Sequence, residues 1–576
     1  MRLQNIRFPE PDICREEELY FHRNGEWIDF NGYFNLFYIE KRKKYTNQET
    51  LTLHLEVGDC QAVRLIHDET MIREIELSGQ PEPLTLEFPY QETDKGVFWF
   101  SVKPGISSKS DVPQLSGWYE GKCQEEKSVR IAAVVCTFKR EPYVLRNLKS
   151  VLRFLERPEN ASMNLCYWLV DNGRTLSEHE EISRLAAQHP DTIRIIPNRN
   201  VGGAGGFTRG MIEAIEEKER LGLTHVQMMD DDAVMDPELF VRAYGFLGMR
   251  KDEWEDIRLG GTLMREDYPY MCQAMGEWFE RFNVTNPLVM TDMRSFENCR
   301  KPLIERPHDE YHMYSGWWCC CYSLNMVRND NLPLPLFIHR DDIEYEVRNK
   351  ETGIVFLNGF NVWHKGFEVN FLGTNAYYDT RNNLIYVALH EPELSRIYMW
   401  KWISKFLLTA IMKMRYEEAG FICQGVKDFV KGPEWLIHVN AEEKNNQLRK
   451  QLPKTESMQT EDKPTLNELQ RCYSSQRHKG NFLKKISFNG WLLPGNSEVG
   501  VLHPYDAPFS VFRKKKIELR DSGAGKRRWA ARDRKQLFKA IGYCLNILEI
   551  LFFRYGKVQK EYEKKFEMLK NKSAWN

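Results

Sequence analysis

Between Ile131 and Ala233 the chain alternates short apolar runs with stretches of helical spacing. The runs are IAAVVCTF, NLCYWLVDNG, TIRIIPN and HVQMMDDDA. Between them stand EPYVLRNLKSVLRFLE, SEHEEISRLAAQH and GFTRGMIEAIEEKER. A near-continuous apolar strand is one buried on both faces, and strand-helix-strand units of this length close as right-handed crossovers of a parallel sheet. No other feature restricts the fold as tightly. A doubly wound α/β domain is expected, with ligands bound beyond the carboxyl ends of its strands.

The flanks differ in texture. Up to about residue 125, short partly alternating stretches such as LTLHLEV, AVRLIHD and KGVFWFSVKP are separated by Gly, Pro, Asn and Asp, the pattern of a β-sandwich. From Tyr398 onward MWKWISKFLLTAIMKMRYEE and FICQGVKDFVKG read as helices. A chain of 576 residues is too long for one core. The expectation is multidomain α/β: a jelly-roll-like β-sandwich over 1–127, a catalytic domain over 128–395, and a mainly helical region over 396–576 with a basic amphipathic end.

Composition narrows the class. With 42% hydrophobic and 28% charged residues the disordered and fibrous classes are excluded. The 13 cysteines are scattered, Cys319, Cys320 and Cys321 are consecutive, and no CxxC pair has a partner, so neither a disulfide framework nor a structural zinc is expected and a reducing cytosol is favoured. MRLQNIRFPEPD has no apolar leader segment. The late apolar window Ala540–Phe553 contains Glu549 and, at about 14 residues, reads as an amphipathic helix too short to span a bilayer. The net charge of −1 hides an asymmetry: residues 513–576 carry 19 Lys/Arg against 7 Asp/Glu. The clusters RKKK, KRR and RDRK beside that helix suit an anionic membrane surface, and equally a solvated face or a subunit contact. No nucleic-acid-binding motif accompanies them.

Each strand of the α/β region ends in a polar signature: Thr137 to Arg140, Asp171 with Asn172, Asn198 to Asn200, and the triplet Asp230, Asp231, Asp232. On an extended segment Asp230 and Asp232 face one point while Asp231 faces away. Two carboxylates there make a hard oxygen site suited to Mg2+ or Mn2+. An exposed DDD is usually a solvated turn; at the end of the fourth strand of such an array the metal reading gains the upper hand. After the third strand stands NRNVGGAGGFTRG, with four glycines between Gly202 and Gly206. It lacks the Lys-Ser/Thr of a phosphate-binding P-loop and the position and spacing of GxGxxG. A tight strand-to-helix turn needs one or two glycines, so four suggest backbone approaching a ligand closely. Further on come MYSGWWCCCYSL, FIHRDDIEYEVR and GFNVWHKGF. Taken singly, Asp341 and Asp342 are helix N-terminal carboxylates and His364 a core or interface histidine.

In this order, VVCTFKR, LVDNG, NRNVGGAGGFTRG, DDD, SGWWCCCYS, RDDIEYEVR and WHKGF resemble the family-two inverting glycosyltransferases, most closely the polymerising galactofuranosyltransferases of the mycobacterial galactan type. The resemblance covers about residues 130–390 and extends loosely to GVKDFVKGPEWL. It implies a GT-A catalytic domain that transfers galactofuranose from UDP-galactofuranose, with inversion, to a hydroxyl of a glycan or lipid-linked glycan in cell-surface polysaccharide synthesis. It further implies Mn2+ or Mg2+ held by Asp230, Asp232 and His364, and a donor pocket of Thr137, Arg140, Asp171, Asn200, Gly202, Gly203 and Asp231. Trp317 and Trp318 would form the acceptor platform. Asp342 would be the base, with Asp341 as runner-up. A homo-oligomer and a cytoplasmic location at the inner face of the cell membrane are implied too. Two alternatives stand beside it: a same-fold transferase using UDP-galactose, UDP-glucose or dTDP-rhamnose, and a noncatalytic carbohydrate-binding protein.

Overall fold

A computed structural model describes residues 1–576 except 78–81, 106–114, 162, 305–312, 459–462, 475–481 and 576. The N-terminal region contains two antiparallel sheets. One places Arg2–Asn5, Leu115–Lys122, Thr50–Val57 and Glu82–Phe88 side by side; the other is built around Cys60–His67 and Val97–Pro104. Leu51, Leu53 and Leu55 from the first and Val63, Leu65, Phe98 and Phe100 from the second fall in one buried core, as alternation on half-buried strands requires.

The central sheet begins with four parallel strands in the order Ile193–Pro197, Leu165–Asp171, Ile131–Thr137, His225–Asp230. It then turns antiparallel: Cys319–Ser323 pairs with His225–Asp230 and with Arg258–Arg265. The consecutive cysteines form the first three residues of this strand. Cys319 and Cys321 pack into the core on one face of the sheet and Cys320 into the core on the other, where small side chains suit a strand covered on both sides. All thirteen cysteines are free thiols.

The long strand Ile354–His364 runs parallel to Arg258–Arg265 and also pairs with the short Val234–Met235, with Val234 opposite Trp363. This register carries the following residue, His364, to the side of the acidic triplet, over one hundred residues away in sequence.

Beyond 396 the chain is not purely helical. Glu456–Ser457, Asn496–Leu502, Lys514–Asp521 and Lys526–Ala531 form a four-stranded sheet. Two of the basic clusters, RKKK and KRR, therefore belong largely to paired strands, with Ile517 and Leu519 turned into the core. The apolar window Ala540–Phe553 is the latter part of a twenty-residue helix, Arg534–Phe553, because Arg534 to Lys539 continue the helix at its N-terminal end. By length and composition this helix could cross a membrane, contrary to the expectation of a shorter element, and 28% of its apolar window is buried in the protein.

Candidate active site

The glycine stretch is not a loop. It forms the first turns of the helix Gly202–Glu216, and most of its glycines are there for packing. Gly202 opens the helix at φ +74°, and a Cβ on it would strike the Phe337 carbonyl. A Cβ on Gly206 would run into the Cys136 sulfur, and one on Gly210 into Val134, so the helix lies directly on the strand Ile131–Thr137. Gly203 alone of the group faces open space. Close packing thus accounts for Gly202, Gly206 and Gly210, while Gly203 keeps the one bare surface a ligand could approach.

An amide network ties the strand ends to this helix. Asn198 donates through Nδ2 to Asn172 Oδ1 at 2.9 Å, and Asn172 Nδ2 donates to the Gly202 carbonyl at 3.0 Å. Asn200 Oδ1 accepts from the Gly202 amide at 3.2 Å. Asp171 is buried, and its two carboxylate oxygens accept from the Gly173 and Leu176 amides at 2.9 and 2.8 Å. Its carboxylate therefore shapes the loop after its strand, a use that reading it as a uridine contact left out. Thr137 is likewise buried at the end of its strand.

The acidic triplet is held from behind by the helix Glu141–Leu155. Arg146 donates to the Asp232 and Ala233 carbonyls, both at 2.9 Å, and Asn147 to those of Asp231 and Ala233, both at 3.0 Å. Asp231 points away from its neighbours' cluster and meets Arg140 at 3.0 Å; the same guanidinium reaches Asp232 at 2.5 Å. Arg140, expected at the uridine, is thus engaged by the triplet in this state.

Asp230, Asp232 and His364 each offer one ligand atom, and the three atoms lie within 4.8 Å of one another. Ligands bonded to a small divalent ion at about 2.1 Å stand about 3–4 Å apart, so the trio fits a hard cation after a slight contraction. His364 Nδ1 donates to the Lys365 carbonyl at 2.7 Å, which leaves Nε2 toward Asp232 at 3.3 Å. Burial raises the Asp230 carboxyl to about 7. Burial would raise Asp232 too, but the hydrogen bond and charge of His364, with Arg140, hold it at about 2. Burial would lower His364; its bond to Asp232 and the charges of Asp230 and Asp232 prevail and lift it to about 9. The two carboxylates thereby favour the charged form of His364.

Asp341 and Asp342 open the helix Asp341–Arg348 after a segment in which Phe337, His339 and Arg340 all adopt left-handed φ, between +66° and +74°. Such backbone persists only when surroundings over-determine it. Here the helix Asn375–His390 does so: Asn382 Nδ2 donates to the carbonyls of Ile338 and His339, both at 2.8 Å, His339 pairs with Asp379 at 2.9 Å, and Arg340 donates to Asn383 at 2.8 Å. Both carboxyls of the pair are raised, first by burial, and Asp341 further by the charge of Asp342. The Cys136 thiol, half-buried at the end of its strand, is pushed up by desolvation and then by the charges of Asp231, Asp230 and Asp341.

Trp317 does not form a platform. It is buried, donates through Nε1 to the Tyr322 hydroxyl at 2.8 Å, and packs edge-on against Phe207 in the core. Trp318 is half-buried, tied to the Gly261 carbonyl at 3.0 Å, with its ring 5.9 Å from that of Phe367. Phe367 is 51% exposed and its ring lies 6.3 Å from His364, making Trp318 and Phe367 the aromatic surface beside the metal trio.

Sequence reasoning also missed Glu277, whose carboxyl is driven up to about 7 by burial and by Asp342, against a hydrogen bond from Tyr314. It missed the C-terminal turn Lys572–Trp575 as well. Trp575 packs near Gly205, donates to the Pro333 carbonyl at 3.0 Å, and accepts from Arg199 at 3.3 Å through its own carbonyl.

These features define a glycosyltransferase: residues 129–368 match the family described as "Glycosyltransferase like family 2", so that part of the chain is a glycosyltransferase domain. The chain is similar to galactofuranosyltransferase GlfT2 of Mycolicibacterium smegmatis, 26% identical over 453 residues that cover 74% of this chain and 68% of the relative. GlfT2 of Mycobacterium tuberculosis is 25% identical over 454 residues, covering 74% of this chain and 69% of that protein. Among solved structures, that of GalNAc-T7 with UDP, GalNAc and Mn2+ overlaps 47% of this chain and 52% of its own at 13% identity and TM-score 0.30, too shallow to add to the assignment.

Proposed function

We propose that the chain is an inverting, metal-dependent transferase that moves galactofuranose from UDP-galactofuranose to a hydroxyl of a glycan acceptor. The observation that carries this reading is the Asp230–Asp232–His364 trio, whose ligand atoms lie within 4.8 Å of one another, with Asp230 and Asp341 both close enough to Cys136 to act on its thiol. The sugar is supported by the similarity to the two galactofuranosyltransferases.

Asp342, half-buried at the start of its helix, is the base that takes the acceptor proton, a contribution of about 10²–10⁴ in rate. The loop at 337–340, fixed from the helix Asn375–His390, keeps it from drifting. Trp318 and Phe367 present ring faces on which an acceptor sugar stacks. Gly203 leaves room for the donor, and Arg140 is free to exchange Asp232 for a phosphate oxygen when the donor arrives. A divalent ion held by Asp230, Asp232 and His364 would supply Lewis-acid stabilisation of the departing UDP.

The acceptor is proposed to be lipid-linked and met at an anionic membrane surface. Phe538, Leu545 and Phe553 on the helix Arg534–Phe553 are 71%, 60% and 83% exposed beside the basic sheet. Replacing all three by Glu should abolish flotation with anionic liposomes; if the face instead joins copies in a homo-oligomer, the substitutions shift the size in solution and leave flotation intact.

The direct test of the transfer is incubation with UDP-galactofuranose, Mn2+ and a synthetic galactofuranosyl acceptor, with the new linkage assigned by NMR. An inverted galactofuranosyl product supports the reading. Turnover only with UDP-galactose, UDP-glucose or dTDP-rhamnose overturns the donor, and no turnover with any of them overturns the activity.

A further inference from the structure

An open cavity of about 1020 Å³ lies at the far end of the helix that begins with Asp341 and Asp342. Its size is that of a site for a sizeable ligand. Along its floor the rings of Phe279, Tyr386, His390 and Phe566 follow one another at 4.7, 5.0 and 5.8 Å. Its rim carries Arg281 and Lys350 against the carboxylates Glu280, Glu391 and Glu393, while Arg348 is paired with the buried Glu344.

That balance selects the ligand class. With no surplus of cations the rim has no field to draw in a polyphosphate, a nucleotide or a nucleic acid. An aromatic floor beneath paired donors and acceptors is instead complementary to a neutral, hydroxyl-rich molecule, whose C–H faces lie on rings and whose hydroxyls meet the rim.

The position selects the part of that molecule. Asp342 and Arg348 sit six residues apart on one helix, about 9 Å along its axis. The strand Glu277–Glu280 lies between the two places: Glu277 is buried within reach of the charge of Asp342, while Trp278, Phe279 and Glu280 line the cavity. An acceptor whose terminal hydroxyl reaches Asp342 needs only a few sugar units to cross that strand.

We propose that this cavity is a glycan-holding subsite, which binds the already built part of the acceptor, a neutral oligosaccharide, several units from the reacting hydroxyl. The proposal rests on the reading of the acceptor as a glycan.

The test uses the full chain with galactofuranosyl disaccharide and hexasaccharide acceptors. Trp278→Ala and, as a second variant, Tyr398→Ala should each lower kcat/KM for the hexasaccharide about tenfold, all of it in KM, and leave the disaccharide within about twofold. Equal losses on both acceptors, or none on either, overturn the subsite. Hexasaccharide binding measured by saturation-transfer NMR without donor separates this from the donor assignment. Binding that weakens in the two variants supports the subsite even if UDP-galactofuranose is not turned over. No binding, or binding that both variants keep, overturns it.

Discussion

Protonation of His364 sets a quantitative demand on metal binding. In the metal-free site the imidazole is clamped by Asp230 and Asp232 and titrates at about 9 rather than 6.5. A divalent ion needs the neutral ring, so below that pH it must displace a proton to bind. At pH 7 the displacement spans about two units, about 2.7 kcal/mol or roughly 100-fold in affinity. The sign follows: raising the pH removes the competing proton and tightens binding. Log Kd for Mn2+, titrated without donor, should fall by about one per unit between pH 7 and 9 and level off above. Below 7 it should steepen, because Asp230, at about 7, then takes up a proton as well. His364→Gln removes the histidine titration, while Asp230, no longer lowered by that charge, titrates higher, so the variant binds more weakly with the pH dependence of the carboxylate alone. A flat wild-type profile from 7 to 9 refutes the reasoning.

Three further substitutions probe the donor wall. Gly203→Val, whose side chain enters open space, should preserve the fold by circular dichroism and weaken UDP binding at least tenfold. Gly206→Val, which runs into Cys136 beneath the helix, should instead lower the melting temperature and the soluble yield. Trp575→Ala should raise the donor KM several-fold at near-constant kcat, with Trp575→Phe restoring most of it, because the indole braces the helix at Gly205; a pure kcat loss would contradict this.

Much of the fold was legible because burial on both faces leaves a simple mark. IAAVVCTF and LCYWLVD have no polar alternation, and they are central strands of the sheet. The register that brings His364 to Asp232 left no such mark, since the two-residue strand Val234–Met235 is too short to show a period. The glycines at 202, 206 and 210 were hard to divide between packing and ligand because a missing side chain looks the same in either use; only the neighbours at Phe337, Cys136 and Val134 decide. Trp317 and Trp318 are adjacent in sequence but sit in a turn that sends the first ring into the core on one face of the sheet and leaves the second half-buried against the core on the other. The left-handed segment at 337–340 was invisible because ordinary residues occupy it, held by Asn382 and Asn383 from a helix forty residues later. The basic clusters read as one charged end are split between strands and a helix, which local charge alone does not distinguish.

The central claim is that one site both holds a nucleotide sugar and deprotonates its acceptor. Asp342→Asn removes only the second capacity, with nearly the same shape. Transfer to a galactofuranosyl acceptor, followed as UDP release in single turnovers, should fall by about 10²–10⁴ while the Kd for UDP with Mn2+ stays within about twofold. Full turnover in this variant, or a loss of UDP binding equal to the loss of rate, would contradict the account.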